Sequence, residues 1–233
     1  THELSPETPH WYGFKPLEGK LLFDYREGTP DDMMAPMRCI QYSVASQYGT
    51  HVDVPLHFWG DGRDMSKITV KELVYPLVVV DKSKECAENP EFTMTVADLE
   101  KWESENGKIP EGAFVAFRSD WYKKSNLDNP DENGNPHYPG WSVDAIKWLV
   151  EERNIGAIGH EPADTDPSYV TTREDAYPYP GEQYILETDR IQIEVMRNFD
   201  QVPAVGAMIV CAFPKLKDGT GFPARCFAIC PED

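Results

Sequence analysis

The sequence predicts an α/β fold organised around a mixed, partly antiparallel sheet or barrel, and three observations carry that expectation. Short apolar, β-branched runs recur along the chain: "CIQYSVAS", "PLVVVD", "AFVAFRSD" and "IGAIGH", then "QYILE", "AMIVCAF" and "RCFAI". Each has strand length, and several are bounded by Gly, Pro or Asp. The segment "SVDAIKWLVEERNIGAIGH" has helical period at its start and runs straight into a strand. The last part of the chain is β-rich, which argues for a partly antiparallel arrangement.

The elements follow in order. The opening "THELSPETPHWYGFKPLEG" is rich in proline and aromatics and reads as irregular wrapping, with His10 beside Trp11 in a structural role. In "TVADLEKWESENG", Val96, Leu99 and Trp102 recur at helical spacing, Thr95 caps the start and Gly107 lies beyond the end. The polar loop "YKKSNLDNPDENGNPHYPGW" reads as a surface lid or a partner contact. Its "NPDENG" is not a calcium loop, because Gly140 stands where a bidentate Glu is needed. A second helix begins at the N-cap Ser142, carries Ala145, Ile146, Leu149 and Val150 on one face, and ends before Gly156. "GTGFPA" formally matches a dinucleotide fingerprint, but Pro223 and the following "RCFAI" deny it the helix that would hold a pyrophosphate. It reads as a turn in a hairpin joining "VCAF" to "CFAI".

The 233 residues, 40% of them hydrophobic, suffice for one globular unit spanning 1–233. The formal charge, 22 − 40 = −18, disfavours nucleic acid and anionic membranes as partners and favours solubility, and the partner expected is a small-molecule substrate. No apolar run approaches the roughly 18 residues needed to cross a bilayer. Five cysteines, with no C-x-x-C pair, argue against a disulfide framework or a thiolate zinc site. The first residue is Thr1, so an export signal already removed is compatible with the sequence; a cytoplasmic location is the favoured expectation.

Chemistry concentrates in "SQYGTHVDVPLHFWGDGRD". Strand side chains alternate, so Gln47, Gly49, His51 and Asp53 share one face if the segment is extended, while Tyr48, Thr50, Val52 and Val54 share the other. Gly49 leaves a gap, and Pro55 ends the ladder, so His57 reaches back over the site from its rim. Two imidazoles and a carboxylate so closely spaced are a divalent-cation pattern. There is no G-x-S-x-G elbow and no Walker loop.

"QYGTHVDVPLHF" resembles the H-x-G-T-H-x-D-x-P-x-H signature of the metal-dependent cyclase family, which contains bacterial kynurenine formamidases and isatin hydrolases. "HELSPETPHW", "PGWSVDAIKWLVEERNIGAIGHEPADTDP" and "YILE" resemble further family segments in the right order. The resemblance implies a swivelling β/β/α fold, hydrolysis of amide or lactam bonds, and homo-oligomers. It implies His51 and Asp53 as metal ligands, His57 as the catalytic histidine and Glu187 as a late acidic ligand. Gln47 replaces the family's first signature histidine, as an oxygen donor, and no histidine lies between Pro167 and Glu187. One metal is therefore expected rather than two zincs, and oxygen-rich ligation tilts its identity toward Mn²⁺ over Zn²⁺. His160, ending "GAIGH" ahead of Glu161, Asp164 and Asp166, is a candidate ligand or substrate-positioning group. Asp166, before Pro167, is better read as capping backbone amides in a turn.

The leading expectation is an arylformamidase-like or isatin hydrolase-like enzyme that splits a C–N bond. The alternatives are a lactone hydrolase or cyclase on the same scaffold, and a non-catalytic metal-binding protein. An assay panel separates the first two, and turnover of any kind excludes the third.

Overall fold

The computed structural model describes residues 1–25 and 37–232. Its strands are β1 (Glu18–Phe23), β2 (Cys39–Ser43), β3 (His51–Asp53), β4 (Val74–Asp81), β5 (Thr93–Met94), β6 (Phe114–Arg118), β7 (Gly140–Trp141), β8 (Ala157–His160), β9 (Ile191–Glu194), β10 (Ala207–Ala212), β11 (Gly221–Pro223) and β12 (Arg225–Ile229). Its α-helices are α1 (Ser83–Glu88), α2 (Val96–Asn106), α3 (Val143–Arg153), α4 (Ser168–Thr171) and α5 (Pro180–Glu187). β5 and β7 form a short pair, and β1 and β2 an antiparallel ribbon.

The main sheet has eight strands in the order β11-β3-β9-β8-β6-β4-β10-β12. Its middle four, β9, β8, β6 and β4, are parallel, and both flanks are antiparallel. Only Ala224 separates β11 from β12, yet these strands occupy opposite ends of that order. The sheet must therefore curl until its edges meet, and it nearly closes into a barrel. The α/β class with a mixed, partly antiparallel sheet or barrel is the fold observed.

Alternation along the strands splits the core in two. Val79, Phe114, Ala116, Ile193 and Ile209 fill the inside of the curl. Val78, Val80, Val115, Phe117 and Ile158 face outward against Trp102, Ile146, Leu149, Ile185 and Leu186 of α2, α3 and α5. Each fully buried Val, Leu, Ile or Phe contributes about 1.5–3 kcal/mol, so the central parallel strands anchor the fold.

The helices start where their caps stand. Thr95 accepts the Asp98 amide while Asp98 reaches back to Thr95, and the Ser142 hydroxyl accepts the Ala145 amide. α3 ends at Asn154, in the left-handed region at φ 47°, two residues before Gly156. The segment "QYILE" is not a strand. It is the body of α5, started by Pro180 and by Asp166, whose carboxylate accepts the Gly181 amide at 2.9 Å and the Glu182 amide at 3.1 Å. Before Gly221, "GTGFPA" makes a turn, but Gly221–Pro223 then crosses to pair with β3 instead of closing a simple β10–β12 hairpin. All five cysteines are free thiols. No helix among the described residues is long and apolar enough to cross a membrane.

Candidate metal centre

β3 and β9 run antiparallel, with His51 opposite Glu194 and Asp53 opposite Gln192. Alternation sends all four side chains to one face, while Val52 and Ile193 enter the core on the other. β8 and β9 end beside one another, so His160 and Glu194 sit at the carboxyl ends of parallel strands, where open α/β sheets gather their functional groups.

His51 is buried, and its Nδ1 lies 2.8 Å from the Gly49 carbonyl oxygen. Only an N–H makes that contact, which leaves the lone pair of a neutral imidazole on Nε2. Nε2 faces Asp53 Oδ2 at 3.3 Å and Glu194 Oε2 at 3.4 Å. Three buried acceptors thus converge on one point. Burial works against a charged imidazole, yet Asp53 and Glu194 outweigh it and push His51 well above the usual histidine range. Burial also opposes ionisation of Asp53, but His51 and then His57 hold its carboxyl down to about 2. The place calls for positive charge. A divalent cation meets the same demand with the same donors, and an imidazole whose far nitrogen is pinned by a carbonyl is a usual metal ligand. The residues fit a metal.

A second donor group, Asp53, His57 and Glu182, shares Asp53 with the first, and its ligand atoms lie within 4.8 Å of one another. His57 closes the 3-10 turn Pro55–His57. Its Nε2 is 3.8 Å from Asp53 Oδ1 and 3.8 Å from Glu182 Oε1, and its ring meets Phe58 edge-on. Burial, then Glu194 and Asp53, raise Glu182 well above the ordinary glutamate range.

Gln192 ties the carboxylates together. Its Nε2 lies 3.3 Å from Asp53 Oδ2, 3.0 Å from Glu182 Oε1 and 3.1 Å from Glu194 Oε1. Its Oε1 accepts from the Thr165 hydroxyl at 2.8 Å. Gly221 packs against the floor. A Cβ built there would lie 2.5 Å from Gln47 Nε2 and 3.0 Å from Asp53 Oδ1.

Several sequence expectations need correction. Glu187 is not with His51 and Asp53: it is exposed and bonded to Gln183 Nε2 at 2.6 Å. Five positions along a helix at about 100° per residue place Glu182 and Glu187 about 140° apart, so only one can face the site, and it is the buried Glu182. The carboxylate that stands beside His51 and Asp53 is that of Glu194. Gln47 lines the cavity, but its amide nitrogen faces Asp53 Oδ1 at 3.2 Å while its oxygen accepts from Ser46. It orients Asp53 instead of offering an oxygen to an ion. Gly49 has φ 63°, so the strand is broken there and Gln47 reaches the floor through a bend. His160 is fully buried behind the site, with Nε2 3.2 Å from Glu194 Oε1. It braces Glu194. Glu161 takes the Ser119 and Trp121 amides, each at 3.0 Å, and Asp164 takes the Tyr138 hydroxyl at 2.5 Å.

Glu182, Gln192 and Glu194 went unread in the sequence. The alternation Ile191-Gln192-Ile193-Glu194 after the charged Asp189-Arg190 was the signal for the last two. Over the centre lies a cavity of about 230 Å³, walled by Trp11, Phe14, Phe58 and Tyr179, with His57 on its edge.

A buried histidine and two carboxylates on a curled mixed sheet, beneath an aromatic cavity, define a metal-dependent hydrolase type of site. The chain belongs to the family described as "Putative cyclase", whose model matches residues 1–167. It is 35% identical over 228 residues to an isatin hydrolase of Roseibium aggregatum, covering 90% of this chain and 85% of that protein. The structure of isatin hydrolase A from Labrenzia aggregata bound to benzyl benzoate matches with a TM-score of 0.88 at 33% identity, covering 100% of this chain and 92% of that one. An isatin hydrolase bound to the product analogue thioisatinate matches with a TM-score of 0.89 at 29% identity, covering 100% and 91%.

Proposed function

We propose that the chain is a metal-dependent amidohydrolase that cleaves the C–N bond of an aryl formamide or cyclic amide, an N-formylkynurenine- or isatin-like small molecule. The observation that carries this reading is the convergence of His51 Nε2, Asp53 Oδ2 and Glu194 Oε2 under a cavity edged by His57. One divalent cation, Mn²⁺ or Zn²⁺, is the cofactor proposed, and the carboxylate-rich donor set leans toward Mn²⁺. When bound, such an ion supplies Lewis acidity to a carbonyl and lowers the pKa of water from about 15.7 toward 7.

The chain's own residues divide the remaining tasks. His51, Asp53 and Glu194 would hold the ion, with Gln192 and His160 fixing the carboxylates. In the reaction, water oxygen joins the carbonyl carbon, the C–N bond breaks and the nitrogen leaves with a proton. His57 is the group proposed to take the proton from water and return it to the nitrogen. Asp53 and Glu182, each 3.8 Å from Nε2, hold the ring at the rim of the site. The aromatic walls suit a flat ring and exclude water. Support also comes from the isatin hydrolases to which the chain is similar.

A homo-oligomer is part of this reading. Its support is the β1–β2 ribbon, whose β1 is exposed at every position and carries Leu21, Leu22 and Phe23. Two-stranded ribbons are marginal alone in water and gain from a cover. The deciding experiment measures metal content of the purified protein, then turnover of isatin, N-formylkynurenine and a lactone panel with Mn²⁺ and Zn²⁺. Amide turnover with about one ion per chain is expected. Metal-free protein, or turnover of lactones alone, refutes the reading.

A further inference from the structure

A second chamber, of about 530 Å³, adjoins the cavity over the metal centre. Trp11, Asp128, Asp164 and Tyr179 line both spaces and so form the neck between them. Among the described residues no lysine or arginine lines either one. Asp164 has a partner in the Tyr138 hydroxyl. Asp128 is different. Its backbone is bonded at both ends, to the Asn126 side chain and the His137 amide, but its carboxylate has no hydrogen bond or ion pair among the described residues. Burial alone raises that carboxyl above its ordinary range, as befits an acid without a counter-charge.

The neck also offers aromatic faces. Trp11 and Tyr12 are exposed on the outer side, and Tyr179 bounds both spaces. A carboxylate without a partner, set among aromatic faces, is the chemistry that recognises an ammonium. Among the described residues an anionic substrate would find no lysine or arginine here to offset Asp128. A purely apolar one would bury Asp128 further with nothing to compensate it.

We propose that the outer chamber is a subsite for a protonated amine, so that the substrate is an elongated aryl amide whose cationic arm passes the neck against Asp128, Trp11 and Tyr179. Which end reacts rests on the hydrolase reading above; the amine subsite itself does not.

Titration calorimetry on the metal-loaded protein tests the subsite, with 2-phenylethylammonium and its neutral counterpart 2-phenylethanol as probes. The wild-type protein should prefer the ammonium on the order of tenfold. Asp128→Asn should erase the preference, and Trp11→Leu should reduce it while leaving the charge in place. Equal binding of the two probes, no binding of the ammonium, or an undiminished preference in Asp128→Asn overturns the proposal. Formanilide hydrolysis is followed in parallel on the wild-type protein. An amine preference without any amide turnover refutes the hydrolase reading and leaves the subsite standing; the converse result sinks only the subsite.

Discussion

His51 and Glu194 face each other across the β3–β9 ladder, with Nε2 of one 3.4 Å from Oε2 of the other. They are direct register partners, so the strand pairing and the geometry of the candidate donors are one arrangement. A slip by a single residue would send both to the core side and bring Val52 and Ile193 to the site.

Replacing His51 or Glu194 by Ala should abolish metal binding, because each removes a donor that no neighbour can supply. Glu187→Ala should retain the full metal content and change stability by less than about 0.5 kcal/mol, as expected for an exposed position. Elemental analysis of the three proteins checks both halves. A metal-free Glu187→Ala protein with intact Glu194 would reverse the ligand assignment.

His57→Ala should keep its metal and lose about 10²- to 10⁴-fold in kcat, the usual worth of a positioned proton carrier. Loss of the ion along with activity would make His57 a ligand, through the group it shares with Asp53 and Glu182.

Gln192→Leu removes the amide that joins three buried carboxylates. A fall of about 10- to 100-fold in metal affinity is expected, the magnitude typical of groups that orient ligands. Competition with a calibrated chelator measures it, and unchanged affinity would contradict the assignment.

Away from the site, Arg63 Nη2 lies 2.6 Å from Glu72 Oε1. Partial burial would raise Glu72, but the bonds from Arg63 and Thr69 hold it down to about 2 from an ordinary 4.5. A carboxyl depressed by folding stabilises the native state above pH 4.5, and that contribution fades as pH falls toward 2. The pair is about a third exposed, so solvent screening leaves about 1 kcal/mol. Glu72→Gln should lower the melting temperature by about 2–4 °C at pH 7. The gap between the two proteins should close on acidification.

Much of this was legible from residue type and spacing. Alternation placed His51 and Asp53 on one face, Thr95 and Ser142 marked the helix starts, and the apolar runs of β4, β6, β8, β10 and β12 declared themselves. What the sequence hid depends on contacts between distant segments. The apolar "YILE" is compatible with either a strand or a helix, and what decides it is Asp166 bonding the amides of Gly181 and Glu182. That choice carries the whole difference between Glu187 and Glu182. Gln47 looked like a donor because its residue type permits it, and only the placement of Asp53 and Ser46 turns its nitrogen inward. Glu194 needed the long-range β3–β9 pairing, which no local pattern encodes.

Gly221 enters no bond-making step, yet the room beside Asp53 exists because this residue ends at its α-carbon. One added methyl would press on the Val52 carbonyl oxygen of the paired strand and lever aside both the amide of Gln47 and the carboxylate of Asp53. The strand that seals the barrel thereby also sets the room left around Asp53, and neither could drift without the other.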